Sequence, residues 1–231
     1  NFVEEMAVFE LPFLFSSPEE AYGVLDGPIG QELLDKLSEV NLKGLAYAER
    51  GFRNLTNSER PVRTPEDIDG LRVRVMENPV YVDTFRELGA NAVPMAWTEA
   101  LTAMQQGTID GQENPVKDGN SFKLNETQDY MTMSRHTYAP AIFVMGMPVW
   151  NRLPEAAQGV IEQAAQEAAE HERTVNAEME SEQLAELRAS GMEIVEDPDI
   201  AAFQDAVAPV YEKYGDQFGD YLERIRESQQ Q

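Results

Sequence analysis

Apolar and polar positions alternate strictly along "LRVRVM" at 71–76: Leu71, Val73 and Val75 share one face, and Arg72, Arg74 and Met76 share the other. A period of two predicts a strand. A helix is predicted from Val80 to Leu88, stopped by Gly89, and a second in "TEALTAMQQG", with Thr98 as N-cap, Leu101 and Met104 inward and Gly107 at its end. "TID" then reads as a minimal strand and "GQENP" as the loop leaving it. Strand, helix, connection, helix and strand in succession make an α/β alternation. In open α/β sheets the ligand crevice lies beyond the carboxyl ends of the strands, which places the side chains of "GQEN" beside a ligand.

The strongest helical pattern runs over 154–189, from Pro154 in the first turn to a stop at Gly191, with Ile161, Ala164, Ala168, Val175 and Met179 at spacings of three or four. His171 falls on this stripe and reads as a packed core histidine. At about 1.5 Å per residue the helix reaches about 54 Å, beyond the ~30 Å of a small domain, so it must project into solvent or cross two lobes. The apolar stripe favours crossing. Elsewhere, 17–39 reads as helix interrupted at Gly27-Pro28, 41–49 as a short strand and 53–70 as loop. "YAPAIFVMGMPVW" at 138–150 reads as a buried strand, and the C-terminal "AFQDAVAPVYEKYGDQFGDYLERIRE" as further helix.

Length and composition (231 residues, 42% apolar, 26% charged) are those of a globular chain with a sizeable core. Eighteen basic residues against forty-two acidic ones give a net charge of −24, which argues against nucleic acid and anionic membrane as partners. No run of apolar residues is long enough to span a membrane. With no cysteine and only His136 and His171, disulfides and thiolate metal sites are excluded, and neither a metal nor a cofactor is expected.

The chemistry rests on few residues. Arg74, at the carboxyl end of its strand, is either a solvated strand residue or a planar fork for a carboxylate. Trp97 is either core or an aromatic pocket wall. Asn114 is either a turn residue or an amide donor to a ligand oxygen. Glu99, Asp110 and Glu113 could form an acid/base pair, but no nucleophile, metal set or phosphate loop accompanies them. No P-loop, GxGxxG or GxSxG pattern is present.

The stretch "GLRVRVMENPVYVDTFRELGANAVPMAWTEALTAMQQGTIDGQENPV" resembles the core signature of DctP-type solute-binding proteins of tripartite ATP-independent periplasmic (TRAP) transporters. "AVFELPFLF", "GFRNLTNSERPV", "SRHTY" and "VWNRLP" match in order, so the similarity covers nearly the whole chain. The resemblance implies an α/β fold of two lobes around a cleft, with hinge strands and a long helix bracing both. Lobe one would comprise 1–50 and 138–170, lobe two 51–137 and 190–231, and the bracing helix 154–189. It implies no catalysis: Arg74 would salt-bridge a ligand carboxylate, Trp97 line the pocket, Asn114 contact the ligand and Arg53 add a second basic contact. Glu77 would tune selectivity, while Asp110, Gln112 and Glu113 fix the loop. The expected protein is a monomeric periplasmic receptor that carries a small organic acid to TRAP permease subunits without inserting in the membrane. A sensory binding protein and an α/β acid/base enzyme are the alternatives. The resemblance also implies that about seventy residues precede Asn1, which would leave the apolar side chains of "AVFELPFLF" under-covered.

Overall fold

The computed structural model describes residues 3–229. Asn1, Phe2, Gln230 and Gln231, at the outer ends of the expected lobes, lie outside the described residues. After a 3-10 helix at Glu4–Glu10 come two short α-helices, α1 (Pro18–Leu25) and α2 (Pro28–Lys36), each with proline in its first turn. Ser17 caps α1 by accepting from Glu20 N at 3.2 Å. Strand β1 (Leu42–Asn57), strand β2 (Arg72–Val75) and helix α3 (Pro79–Glu87) follow. Next are β3 (Asn91–Pro94), α4 (Trp97–Gln105), β4 (Gly111–Pro115) and α5 (Val116–Ser121). Then come β5 (Tyr130–Gly146), α6 (Met147–Trp150), α7 (Glu155–Ala189) and β6 (Glu193–Val195). Helices α8 (Ile200–Ala206), α9 (Ala208–Tyr214) and α10 (Tyr221–Ser228) end the chain.

The strands form one mixed sheet in the order β3-β2-β4-β1-β5-β6. β2 runs parallel to β3 and β4, β1 antiparallel to β4 and β5, and β5 parallel to β6. Strand β4 meets β1 only over Arg53–Asn57, and β6 meets β5 only over Tyr130–Thr132. From Gly51 towards Leu42, β1 and β5 continue together as a two-stranded ribbon. A bulge lies where the wide sheet becomes the ribbon, between Glu49 and Gly51, and Gly51 has φ +96°. That backbone suits glycine, and the bulge bends the strand there.

An isolated two-stranded ribbon is marginal in water; here α7 lies across it. Ala165 and Ala169 of α7 meet Ala46 and Ala48 of β1, small residues that let helix and ribbon approach closely. Near its other end, Leu187 packs with Met131 and Met133 of β5 in the wide sheet, with Val116 of α5 and with Met192. Between these contacts Arg173 donates to both Asp26 carboxylate oxygens, at 2.6 and 2.9 Å, and to Tyr47 O at 2.5 Å. Helix α7 therefore ties ribbon to sheet.

Several expectations need correction. "GQENP" is the strand β4 itself, and "TID" is a turn before it. β1 runs on to Asn57, so Arg53 lies in a strand rather than a loop. In both cases the polar side chains that suggest a loop are buried and hydrogen-bonded across the sheet. α4 starts one residue before Thr98, and Ala96 occupies its N-cap position without a side-chain cap. The buried face of α7 is Ala165, Ala169, Arg173 and Leu187; Met179 and His171 are exposed. Phe143 and Val144 in β5 are also exposed. Val8, Phe9, Leu11, Leu14 and Phe15 are covered rather than under-covered, because the C-terminal helices close over them: Tyr211 Oη donates to Pro12 O at 2.7 Å and Gln229 Nε2 to Leu14 O at 2.7 Å.

Candidate functional site

A cavity of about 910 Å³ opens where the strands of the wide sheet meet the ribbon, with Arg53, Arg74, Trp97 and Asn114 all on its wall. Alternation in β2 sends Val73 and Val75 into the core, both 0% exposed, and turns Arg74 the other way. Arg74 is nevertheless only 4% exposed. Its Nε donates to Met95 O at 2.9 Å, and its guanidinium carbon stands 5.4 Å from the Trp97 ring centroid. Among the described residues no carboxylate forms a salt bridge with it. Burial lowers its pKa, with Glu113 pulling the other way, and an arginine so placed stays cationic.

Arg53 is buried too, at 2% exposure, but its charge is met. Nε donates to Glu113 Oε2 at 2.5 Å, and Nη2 to Glu113 Oε1 at 2.8 Å, Glu113 O at 2.8 Å and Asn114 Oδ1 at 3.0 Å. Burial disfavours the Arg53 cation, but the adjacent Glu113 outweighs it and raises the pKa. For Glu113 burial acts upward, and Arg53 with His136 overrides it, holding the carboxyl at about 2. His136 Nε2 is 3.1 Å from Glu113 Oε2 and its Nδ1 is 2.8 Å from Ser134 Oγ; burial pushes its pKa down, so the ring stays neutral.

Asn114 is held on both sides, accepting from Arg53 and donating to Gln112 Oε1 at 2.6 Å. Gln112 in turn donates to Thr56 Oγ1 at 2.9 Å. Trp97 satisfies both of its readings: it packs on the cluster of Ala100, Met104, Ile109 and Leu124, and it lines the cavity. Its ring meets Phe122 edge-on, with centroids 5.0 Å apart. Glu77 is exposed beyond β2 and is not on the cavity wall. Asp110 pairs with Arg72 and Glu113 with Arg53, both carboxyls held below their ordinary range, while Glu99 is exposed on α4. The three carboxylates are thus dispersed, with Asp110 and Glu113 each tied to an arginine, and they do not form an acid/base pair.

Sequence reasoning missed Arg50 and Asp118, which pair at 2.7 Å on the same wall, and Phe122. Strict alternation would set Arg50 and Arg53 on opposite faces, but the bulge at Gly51 brings both to the cavity. A glycine between two arginines was the available signal.

The family described as bacterial extracellular solute-binding protein, family 7 (DctP), matches residues 1–217. A solute-binding protein of Verminephrobacter eiseniae is 43% identical over 230 residues, covering 99% of this chain and 69% of that protein. The chain belongs to the DctP family. Among solved structures, a TRAP periplasmic solute-binding protein from Polaromonas sp. JS666 bound to D-erythronate matches with TM-score 0.94 and 42% identity, covering 99% of this chain and 75% of that one. The sugar acid binding protein DctPAm from Advenella mimigardefordensis, in complex with galactonate, matches with TM-score 0.93 and 37% identity over 99% and 74% of the two chains. As a DctP protein the chain is a two-lobed, periplasmic solute receptor of the TRAP type and not an enzyme. No helix among the described residues is long and apolar enough to cross a membrane.

Proposed function

We propose that this DctP protein captures a small organic acid by its carboxylate at Arg74 and delivers it to the membrane subunits of a TRAP permease. One observation carries the reading: Arg74 presents a buried guanidinium to a cavity with no protein carboxylate bridged to it, among the described residues. A buried cation of this kind calls for an anion, and a carboxylate meets its planar fork with two parallel hydrogen bonds. Trp97 backs the guanidinium, and Asn114, fixed by Arg53 and Gln112, offers its remaining amide capacity to the ligand. The two solved relatives bound to erythronate and galactonate, both carboxylates, support the same ligand class. The change from wide sheet to ribbon at Gly51 supports placing the lobe boundary at residues 50–51 of β1 and near 138 of β5, where closure would bury the ligand.

Titration calorimetry of the parent and of Arg74→Ala against D-erythronate and galactonate tests this. Truncating one partner of a buried charge pair costs about 2–5 kcal/mol, a loss of roughly thirtyfold to several thousandfold in affinity. Arg74→Lys should lose much of the affinity too, because an ammonium cannot reproduce the paired geometry. Binding by Arg74→Ala within about threefold of the parent would overturn the assignment.

A further inference from the structure

Among the described residues three guanidinium groups line the cavity, and only that of Arg74 has no salt bridge to a protein carboxylate. Glu113 neutralises Arg53, and Asp118 neutralises Arg50 from 2.7 Å, with Asp118 itself on the cavity wall and only 7% exposed. Glu10 also reaches this wall and accepts a hydrogen bond from Asn78 Nδ2 at 2.5 Å. Asp118 and Glu113 thus bridge two of the three arginines, and one ligand carboxylate at Arg74 matches the charge of the third. Among the described residues a second ligand carboxylate would find no further unbridged guanidinium on this wall and would face Asp118. Hydroxyl groups meet the reverse situation, since each donates to a carboxylate oxygen with spare lone pairs.

We infer that the site selects hydroxylated monocarboxylates over the corresponding dicarboxylates, and that Asp118 sets the preference by occupying Arg50. The inference rests on Arg74 as carboxylate anchor. Asp118 acts as a specificity determinant through two effects of one charge. It repels a second carboxylate, and it withholds the arginine that would bind one. Discrimination of this kind, built from a repulsive element, is how a site rejects a near-isosteric competitor.

Matched pairs that differ only in the terminal group make the test: D-erythronate against meso-tartrate, and galactonate against galactarate, by calorimetry at neutral pH. A like charge set against a buried carboxylate costs several kcal/mol, so the parent should prefer the monocarboxylate of a pair by about a hundredfold or more. In Asp118→Asn the freed Arg50 becomes a second anchor, and the gap should narrow by about tenfold or more. Arg50→Gln, at a side chain 46% exposed, is the independent variant. It leaves Asp118 unneutralised, and the gap should widen. Equal affinity of the parent for both members of a pair would overturn the selectivity while leaving the carboxylate anchor intact. A clear preference that neither variant changes would overturn the role of Asp118. Failure of the parent to bind any of the four acids would overturn the inference together with the reading of Arg74 beneath it.

Discussion

Replacing Glu113 by Gln puts the buried charge pair to a direct test. The substitution keeps shape and one acceptor oxygen but removes the charge facing Arg53, in a pair whose members are 2% and 0% exposed. Two unit charges at about 4 Å in an effective dielectric of about 20 interact by ~4 kcal/mol, and removing one partner of a buried pair costs about 3–5 kcal/mol. Arg53 keeps its bonds to Glu113 O and Asn114 Oδ1, which places the expected loss at the lower end of that range. For a chain of this size 1 kcal/mol shifts the melting midpoint by about 2–4 °C, so a fall of about 6–12 °C is expected. Urea unfolding without ligand gives the free energy directly. The companion variant is Arg53→Met/Glu113→Gln, which removes the stranded cation while Gln still reaches His136. It should recover half or more of the loss, because the cost lies in an unpaired buried charge and not in the missing bond. The reasoning fails if Glu113→Gln lies within about 1 kcal/mol of the parent, or if the double variant is no more stable than the single one.

The same pair makes stability depend on acid. Glu113, ordinarily near 4.5 and held at about 2 in the fold, contributes stability that is complete above 4.5 and lost as pH falls towards 2. His136, held below 6.5 when folded, acts in the same direction because the unfolded chain takes up its proton first; urea midpoints should therefore fall on acidification from 6.5, with the lower limb flattened in Glu113→Gln, and a level profile would contradict this. Gly30→Ala would set a Cβ 1.8 Å from Leu25 O, forcing the turn between α1 and α2 apart, with a loss of about 3 kcal/mol or more in thermal melts. Gly23→Ala, in the exposed middle of α1 with nothing within 4 Å of its added Cβ, should instead raise stability by about 0.5–1 kcal/mol. An excess of twenty-four negative charges repels itself over a Debye length of about 8–10 Å, so the midpoint should rise between low salt and molar NaCl; a flat or falling midpoint would refute this.

What could be read from residues alone follows from where their partners lie. β2 was plain because one face is buried by local alternation, and α3 and α7 because their periodicity and stop signals are contained within the segment. The first half of β1 reads as strand, but its second half and β4 read as loop because Arg53, Asn54, Thr56, Asn57, Gln112, Glu113 and Asn114 look like turn or surface residues, yet all seven are buried. Their partners come from distant parts of the chain: Glu113 for Arg53, Gln112 and Gln128 for Thr56, and Arg135 N for Asn54 Oδ1 at 3.1 Å. The buried face of α7 escaped for a related reason. Its contacts on the ribbon are alanines, which carry little apolar signal, so the apolar pattern equally fits a stripe through Ala164, Ala168 and Met179, all three of which are exposed. Four of the five candidate site residues do meet at one cavity, but their roles were beyond the pattern. Arg53 and Arg74 are equivalent as residue types. They are made different by a carboxylate sixty residues from Arg53 that bridges one guanidinium and leaves the other to the cavity. Had Glu113 faced Arg74 instead, the same residues on the same strands would offer a ligand its anchor at Arg53. The site's chemistry therefore belongs to the register of β4 against β1, which pairs Leu55 with Glu113 and Asn54 with Asn114, as much as to any residue in it.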